Sequence, residues 1–124
     1  MSGFDDQIRR VQRTPGMYFD ECSPTIVCAW LQGYDDACEG GLLRGFREWL
    51  IVMVGTGNNL SWPALVRDLL KSSCTTPETE LDKLFELVIE FRTTVNSGGM
   101  RQIMIRYHEW LQRQSWYGPE DSRG

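Results

Sequence analysis

His108 lies beside Glu109 in the string IRYHEWL, and an imidazole next to a carboxylate suits general acid–base work. A base also needs a nucleophile or substrate group within reach, and no Ser or Cys motif supplies one. His108 therefore reads as an ordinary helix-surface or boundary residue, with a small enzyme or ligand binder built on a cleft near it as the alternative. GTGNNL, residues 55–60, imitates the start of a dinucleotide fingerprint. The third glycine of that motif falls on Leu60 and no strand pattern follows, so the segment reads as an interhelix loop. Cys22, Cys28, Cys38 and Cys74 form no C-x-x-C pair, and with one histidine in the chain no structural zinc site is expected.

The acids carry more information. Glu78, Asp82, Glu86 and Glu90 recur at strict i, i+4 spacing, which puts four like charges on one helical stripe. Each neighbouring pair costs a few tenths of a kcal/mol in an isolated helix. The helix N-terminus relieves only Glu78 and at most its neighbour, and Lys83 and Arg92, on adjacent stripes, are expected to ease part of the remaining repulsion. Asp35, Asp36 and Glu39 form a second cluster, and no Lys or Arg occurs between Phe19 and Leu43 to neutralise it. Two readings fit: a solvated face, or an anionic surface that meets a basic partner. A metal site wants oxygens converging from a loop or from several elements, and a single stripe converges poorly.

These residues must be held by helices. Phe4, Ile8 and Val11 share one side of a short helix over residues 4–12. The string RTPGMYFDEC follows, with a Pro15–Gly16 turn and the apolar run Met17–Tyr18–Phe19. Ser23 and Pro24 read as an N-cap and first helical residue. The helix they start puts Ile26, Trp30, Gly33, Tyr34 and Ala37 on one face and ends at Gly40–Gly41. Residues 42–54 are apolar nearly all round and read as a central helix, the β-branched LIVMV leaving a strand as the alternative. Ser61 caps a helix with Trp62, Leu65, Val66, Leu69 and Leu70 on one face. Thr76–Pro77 repeats the cap and opens a helix to about Val95 that buries Leu81, Leu84, Phe85, Val88 and Phe91. A last helix over 100–114 turns Met100, Ile103, Met104, Tyr107 and Leu111 inward. The expected fold is all-α, a compact bundle of five or six helices in one domain over 1–117, with 118–124 a flexible polar tail.

The totals narrow the function. The formal net charge is −4 over 124 residues, which disfavours nucleic acid and membrane surfaces as partners. No run is long and apolar enough for a membrane span. The opening MSGFDDQIRR has no apolar signal core, so free thiols in a reducing cytoplasm are expected.

Two resemblances bear on Pro15, Gly16, Met17 and Tyr18. VQRTPGMYFDE is similar over about five residues to the R-P-G-M-Y-I-G string of gyrase-type ATPases. It departs at Thr14, Phe19 and Asp20, and that family's ATP-binding helix and glycine-rich lid are missing, so ATP binding is rejected. Over most of its length the chain resembles small bacterial proteins of polymorphic-toxin loci. The shared features are Pro15 to Tyr18, Gly33–Tyr34, Phe46 to Leu50, Trp62–Pro63 and the Phe-containing acidic helix from Leu84 to Phe91. The resemblance implies a cytoplasmic, non-enzymatic immunity protein, without cofactor or metal, that neutralises one cognate toxin domain with a basic surface. It implies further that Pro15, Gly16, Met17 and Tyr18 form a structural latch over the face carrying Trp30 and Tyr34. Partner binding then falls to Asp35, Asp36, Glu39, Glu78, Asp82, Glu86 and Glu90. An adaptor subunit in an unrelated assembly is the remaining alternative.

Overall fold

The structure, a computed structural model, describes residues 3–114 and residue 116. The expected tail, 118–124, lies outside the described residues. The described chain is all-α. Its helices are α1 (Gly3–Arg13), α2 (Pro24–Ala37), α3 (Phe46–Val54), α4 (Trp62–Ser73), α5 (Pro77–Asn96) and α6 (Met100–Gln112), with a single 3-10 turn at Pro15–Met17. LIVMV is helical, within α3.

The caps set the starts. The Ser23 side chain accepts from the Ile26 amide at the head of α2. Thr76 and Thr79 form a reciprocal capping box at the head of α5, and Pro occupies the first turn of both helices. The central helix starts at Phe46, four residues later than the apolar run suggests. Gly45 has φ +89°, a left-handed conformation that breaks the run, and a Cβ there would lie 2.8 Å from the Met100 sulfur. Leu42 and Leu43 form a turn instead, with both amides donating to Asp35 Oδ1 at 3.0 and 2.9 Å.

α5 is the spine. It packs against α1, α2, α3 and α4, and buries Leu81, Leu84, Phe85, Leu87, Val88 and Phe91. Phe46 lies at the centre of the aromatic core, fully buried, with the Phe91 ring 5.1 Å away and the Trp62 ring 5.3 Å away. Arg92 is the one buried charged residue among those described. Its Nε donates to Asp5 Oδ1 at 2.9 Å and its Nη1 to the Leu42 carbonyl at 2.8 Å, while Asn96 Nδ2 donates to Asp5 Oδ2 at 2.9 Å. This network ties α1 to α5. Burial alone would raise the Asp5 carboxyl, but the hydrogen bonds from Arg92 and Asn96 and the charges of Arg92 and Arg9 outweigh it. The group is held below its ordinary value.

Three expectations need correction. The latch does not pack: Met17 is 80% exposed and Tyr18 45% exposed. The amides of Tyr18 and Phe19 both donate to the Pro15 carbonyl, a tight turn that throws residues 17 and 18 outward and brings the chain back at Phe19. Phe19 supplies the contact, edge-on to Trp30 at 5.6 Å, and Phe4 covers Tyr34 at 5.0 Å. Gly16 is exposed, and a Cβ there would meet nothing, so no steric need for glycine exists. The buried stripe of α2 is Val27, Cys28 and Leu31, with Trp30 and Tyr34 at its edge; Ile26, Gly33 and Ala37 are exposed. The bulk of the two aromatics draws a sequence reading to the wrong side of that edge. On α6 the position assigned to Met104 goes to Trp110: Met104 is 42% exposed, while Trp110 is buried with Ile103 and Leu111.

The latch correction gives a direct comparison. Tyr18→Ala should change stability by no more than about 0.5 kcal/mol, as surface substitutions do. Phe19→Ala should cost about 2 kcal/mol or more, by loss of packing area against Trp30. Urea unfolding of the two variants side by side checks this, and equal losses would contradict it.

Candidate binding surface on α5 and the cleft beside it

The capping box fixes the phase of α5. With the apolar side turned into the core, Glu78, Asp82, Glu86 and Glu90 all come out exposed along one edge. Two ion pairs occur among the described residues, Arg47–Glu48 at 3.5 Å and Arg92–Asp5 at 2.9 Å. Neither reaches the edge. Arg92, expected to ease the stripe's repulsion, is instead spent on Asp5, and no Lys83 ion pair occurs among the described residues.

The second cluster divides. Asp36 and Glu39 are exposed, Glu39 with φ 57° in the turn that ends α2. Asp35 is half-buried and its carboxylate caps the Leu42–Leu43 turn, so it is a structural residue of the α2–α3 connection. The two acidic clusters are carried by different helices.

Next to the last acid of the stripe is a feature that sequence reading missed. A cleft of about 620 Å³ opens between α5 and α6, with α3 beneath it. Its apolar floor is Trp49, Val52, Met53 and Ile103. Glu90 stands on the α5 wall and Arg106 on the α6 wall, with Thr93 and Gln102 lining the same walls. A sequence signal for it existed. α3 is apolar on more sides than a core can cover, and the surplus, Val52 half-buried and Met53 45% exposed, faces the cleft.

His108 is exposed on α6 and does not line this cleft. The described cysteines are free thiols. Burial pushes the Cys28 thiol up to about 11 against the opposing charge of Arg67, which leaves it protonated and unreactive near neutrality. No group of three or more His, Cys, Asp or Glu able to hold a metal ion occurs among the described residues. None of their helices is long and apolar enough to cross a membrane. The residues 55–61 loop is held by Arg47, whose Nε donates to the Leu60 carbonyl at 2.7 Å and whose Nη2 donates to the Asn58 carbonyl, and by the Tyr107 hydroxyl, which donates to Asn58 Oδ1. The α5 region thus joins an exposed acidic edge, without ion-pair partners among the described residues, to a cleft with an apolar floor. Comparison of the chain with protein-family models, with curated proteins and with solved structures finds no match.

Proposed function

We propose that the chain is an immunity protein of a bacterial toxin system, acting in the cytoplasm. It binds a cognate toxin domain through an acidic surface and occludes that domain's basic active-site or substrate-binding face. The observation that carries this reading is the edge of α5. Four exposed carboxylates at i, i+4 spacing repel one another, and among the described residues none has an ion-pair partner. A basic partner converts that repulsion into attraction, speeding association and setting specificity.

The test is to seek a toxin domain among the products of the genes adjoining this chain's and to co-express it with the chain, read as survival, with a melting curve for each variant. Glu86→Lys and Glu90→Lys should lose protection while melting at or slightly above the wild-type temperature, because each relieves like-charge neighbours. Asp36→Lys tests the second cluster in the same way. Asp35→Lys is the structural control: it strips two amides of their acceptor and should cost about 1–3 kcal/mol. Full protection by every folded reversal would remove the electrostatic interface.

A further inference from the structure

The geometry points to the α3–α5–α6 cleft as the docking site for a basic amphipathic segment of the partner. Its apolar side chains would lie on the Trp49–Val52–Met53–Ile103 floor, with a Lys or Arg against Glu90. This deepens the reading of the chain as a binder of a basic protein and rests on it.

The cleft is built by the turn between α5 and α6. Gly98 has φ +83°, and at Gly99 a Cβ would lie 2.7 Å from the Thr94 carbonyl oxygen, so the chain reverses over Ser97–Gly98–Gly99 in a way that larger residues resist. The two helices meet there but make no extended contact along their length. Each packs on α3, which leaves a slot above it. The walls are rows at helical spacing, residues 90, 93 and 94 on α5 and residues 102 and 106 on α6, with residues 97 and 99 of the turn closing one end. Glu90 is seven residues before the turn and Arg106 seven after it. The two therefore stand at matching height at the open end, roughly 10 Å along each helix. No ion pair joins them.

A slot two turns long with an apolar floor suits an amphipathic helix presenting residues at i, i+3 or i+4, and i+7. The half-exposed Met53 gives the floor an adaptable side chain. Charge then selects the segment. Glu90 is the last member of the acidic edge, and Glu86, Asp82 and Glu78 continue it away from the cleft, so cations flanking the apolar ridge are favoured along the whole α5 side. Arg106 on the other wall can donate to the free carbonyls that end such a helix, or to an acid on it. The cleft thus supplies the buried anchor that an exposed acidic edge lacks.

The probe is a peptide of about fourteen residues with a Leu ridge at helical spacing and Lys elsewhere, with a Leu/Glu peptide of the same ridge as control. Both are titrated into the isotope-labelled full chain, the Trp49 indole signal being assigned through Trp49→Phe. The Leu/Lys peptide should shift Trp49, Val52 and Ile103 and bind at least about tenfold tighter than the control. Glu90→Lys and the cleft-filling Gln102→Trp should each weaken it by about tenfold or more, whereas Glu78→Lys, three turns away, should cost less than about threefold. If Gln102→Trp does not fold, Met53→Ala at an exposed site should still weaken binding several-fold. Equal affinity for both peptides, undiminished binding by the cleft variants, shifts confined to residues 78–86, or no binding would each overturn the assignment. A toxin neutralised by a chain whose cleft ignores the peptide removes the cleft assignment alone. A cleft that takes the peptide in a chain that protects no cell removes the immunity reading alone.

Discussion

Phe46→Ala should lower stability by about 3–5 kcal/mol, the largest loss expected from any single truncation of this core. Phe46 is fully buried, and its ring has Phe91 at 5.1 Å, Trp62 at 5.3 Å and Trp49 at 5.9 Å. Alanine would remove one member of a four-ring cluster that joins α3, α4 and α5. Bulky rings on three helices cannot collapse into the space, so the cavity term adds to the lost transfer free energy. A domain of this size has a total stability of roughly 5–15 kcal/mol. The variant should therefore unfold at much lower urea concentration, with a substantial unfolded fraction at growth temperature. Phe46→Leu, which keeps most of the apolar volume, should recover much of the loss. A loss below about 1 kcal/mol for Phe46→Ala would mean that the ring cluster is not a packed core.

Arg92→Met should cost about 3–5 kcal/mol for a different reason. The methionine fills much of the space, so the loss is electrostatic. The Leu42 carbonyl loses its donor, and the Asp5 carboxylate is left largely desolvated with only the Asn96 hydrogen bond and the charge of Arg9 to offset burial. Leaving one partner of a buried pair uncompensated is what makes such changes expensive. The pH dependence has a sign that separates this account from simple packing loss. In the wild type Asp5 is held below its ordinary value, so its contribution is present above the unfolded value of about 4 and is lost as pH falls below it. In Arg92→Met the main opposing interaction is gone and burial dominates, so the Asp5 carboxyl should rise above its unfolded value. The deficit of the variant should then shrink as pH is lowered from 7 towards 4. Parallel stability–pH curves for the two proteins would show that Asp5 does not feel Arg92. The double variant Asp5→Leu/Arg92→Met should be more stable than Arg92→Met alone, because it removes the orphaned charge.

The helices were legible because periodicity and caps agreed. Phe4, Ile8 and Val11 mark α1, and Ser23–Pro24 and Thr76–Pro77 open α2 and α5. The exposed acidic edge was legible for the same reason: once Leu81, Leu84, Phe85 and Val88 point inward, the i, i+4 acids must point out. What failed was mostly chain reversal. Nothing local in RTPGMYFDEC shows that a 3-10 turn will aim Tyr18 outward and Phe19 inward, since adjacent aromatics are equally good core residues. The role of Arg92 depends on Asp5, and that of Asp35 on two amides in the next connection, so neither shows in a helical pattern. The cleft is a property of three helices jointly. Its one sequence trace is the apolar surplus on α3, which reads equally well as a helix buried on all sides.

The Asp5–Arg92 pair spans 87 positions of sequence. A ribosome delivers α1 before α5, and until α5 follows, α1 lacks the larger part of its packing surface, although Tyr34 of α2 is already there to meet Phe4. This helix must therefore wait as a partly open amphipathic segment until α5 has emerged, and only then complete its packing. Its low intrinsic length, 11 residues, keeps it weakly helical in that interval. The acids Asp5 and Asp6 and the arginines Arg9, Arg10 and Arg13 keep the rest of its surface charged, limiting premature association between nascent chains.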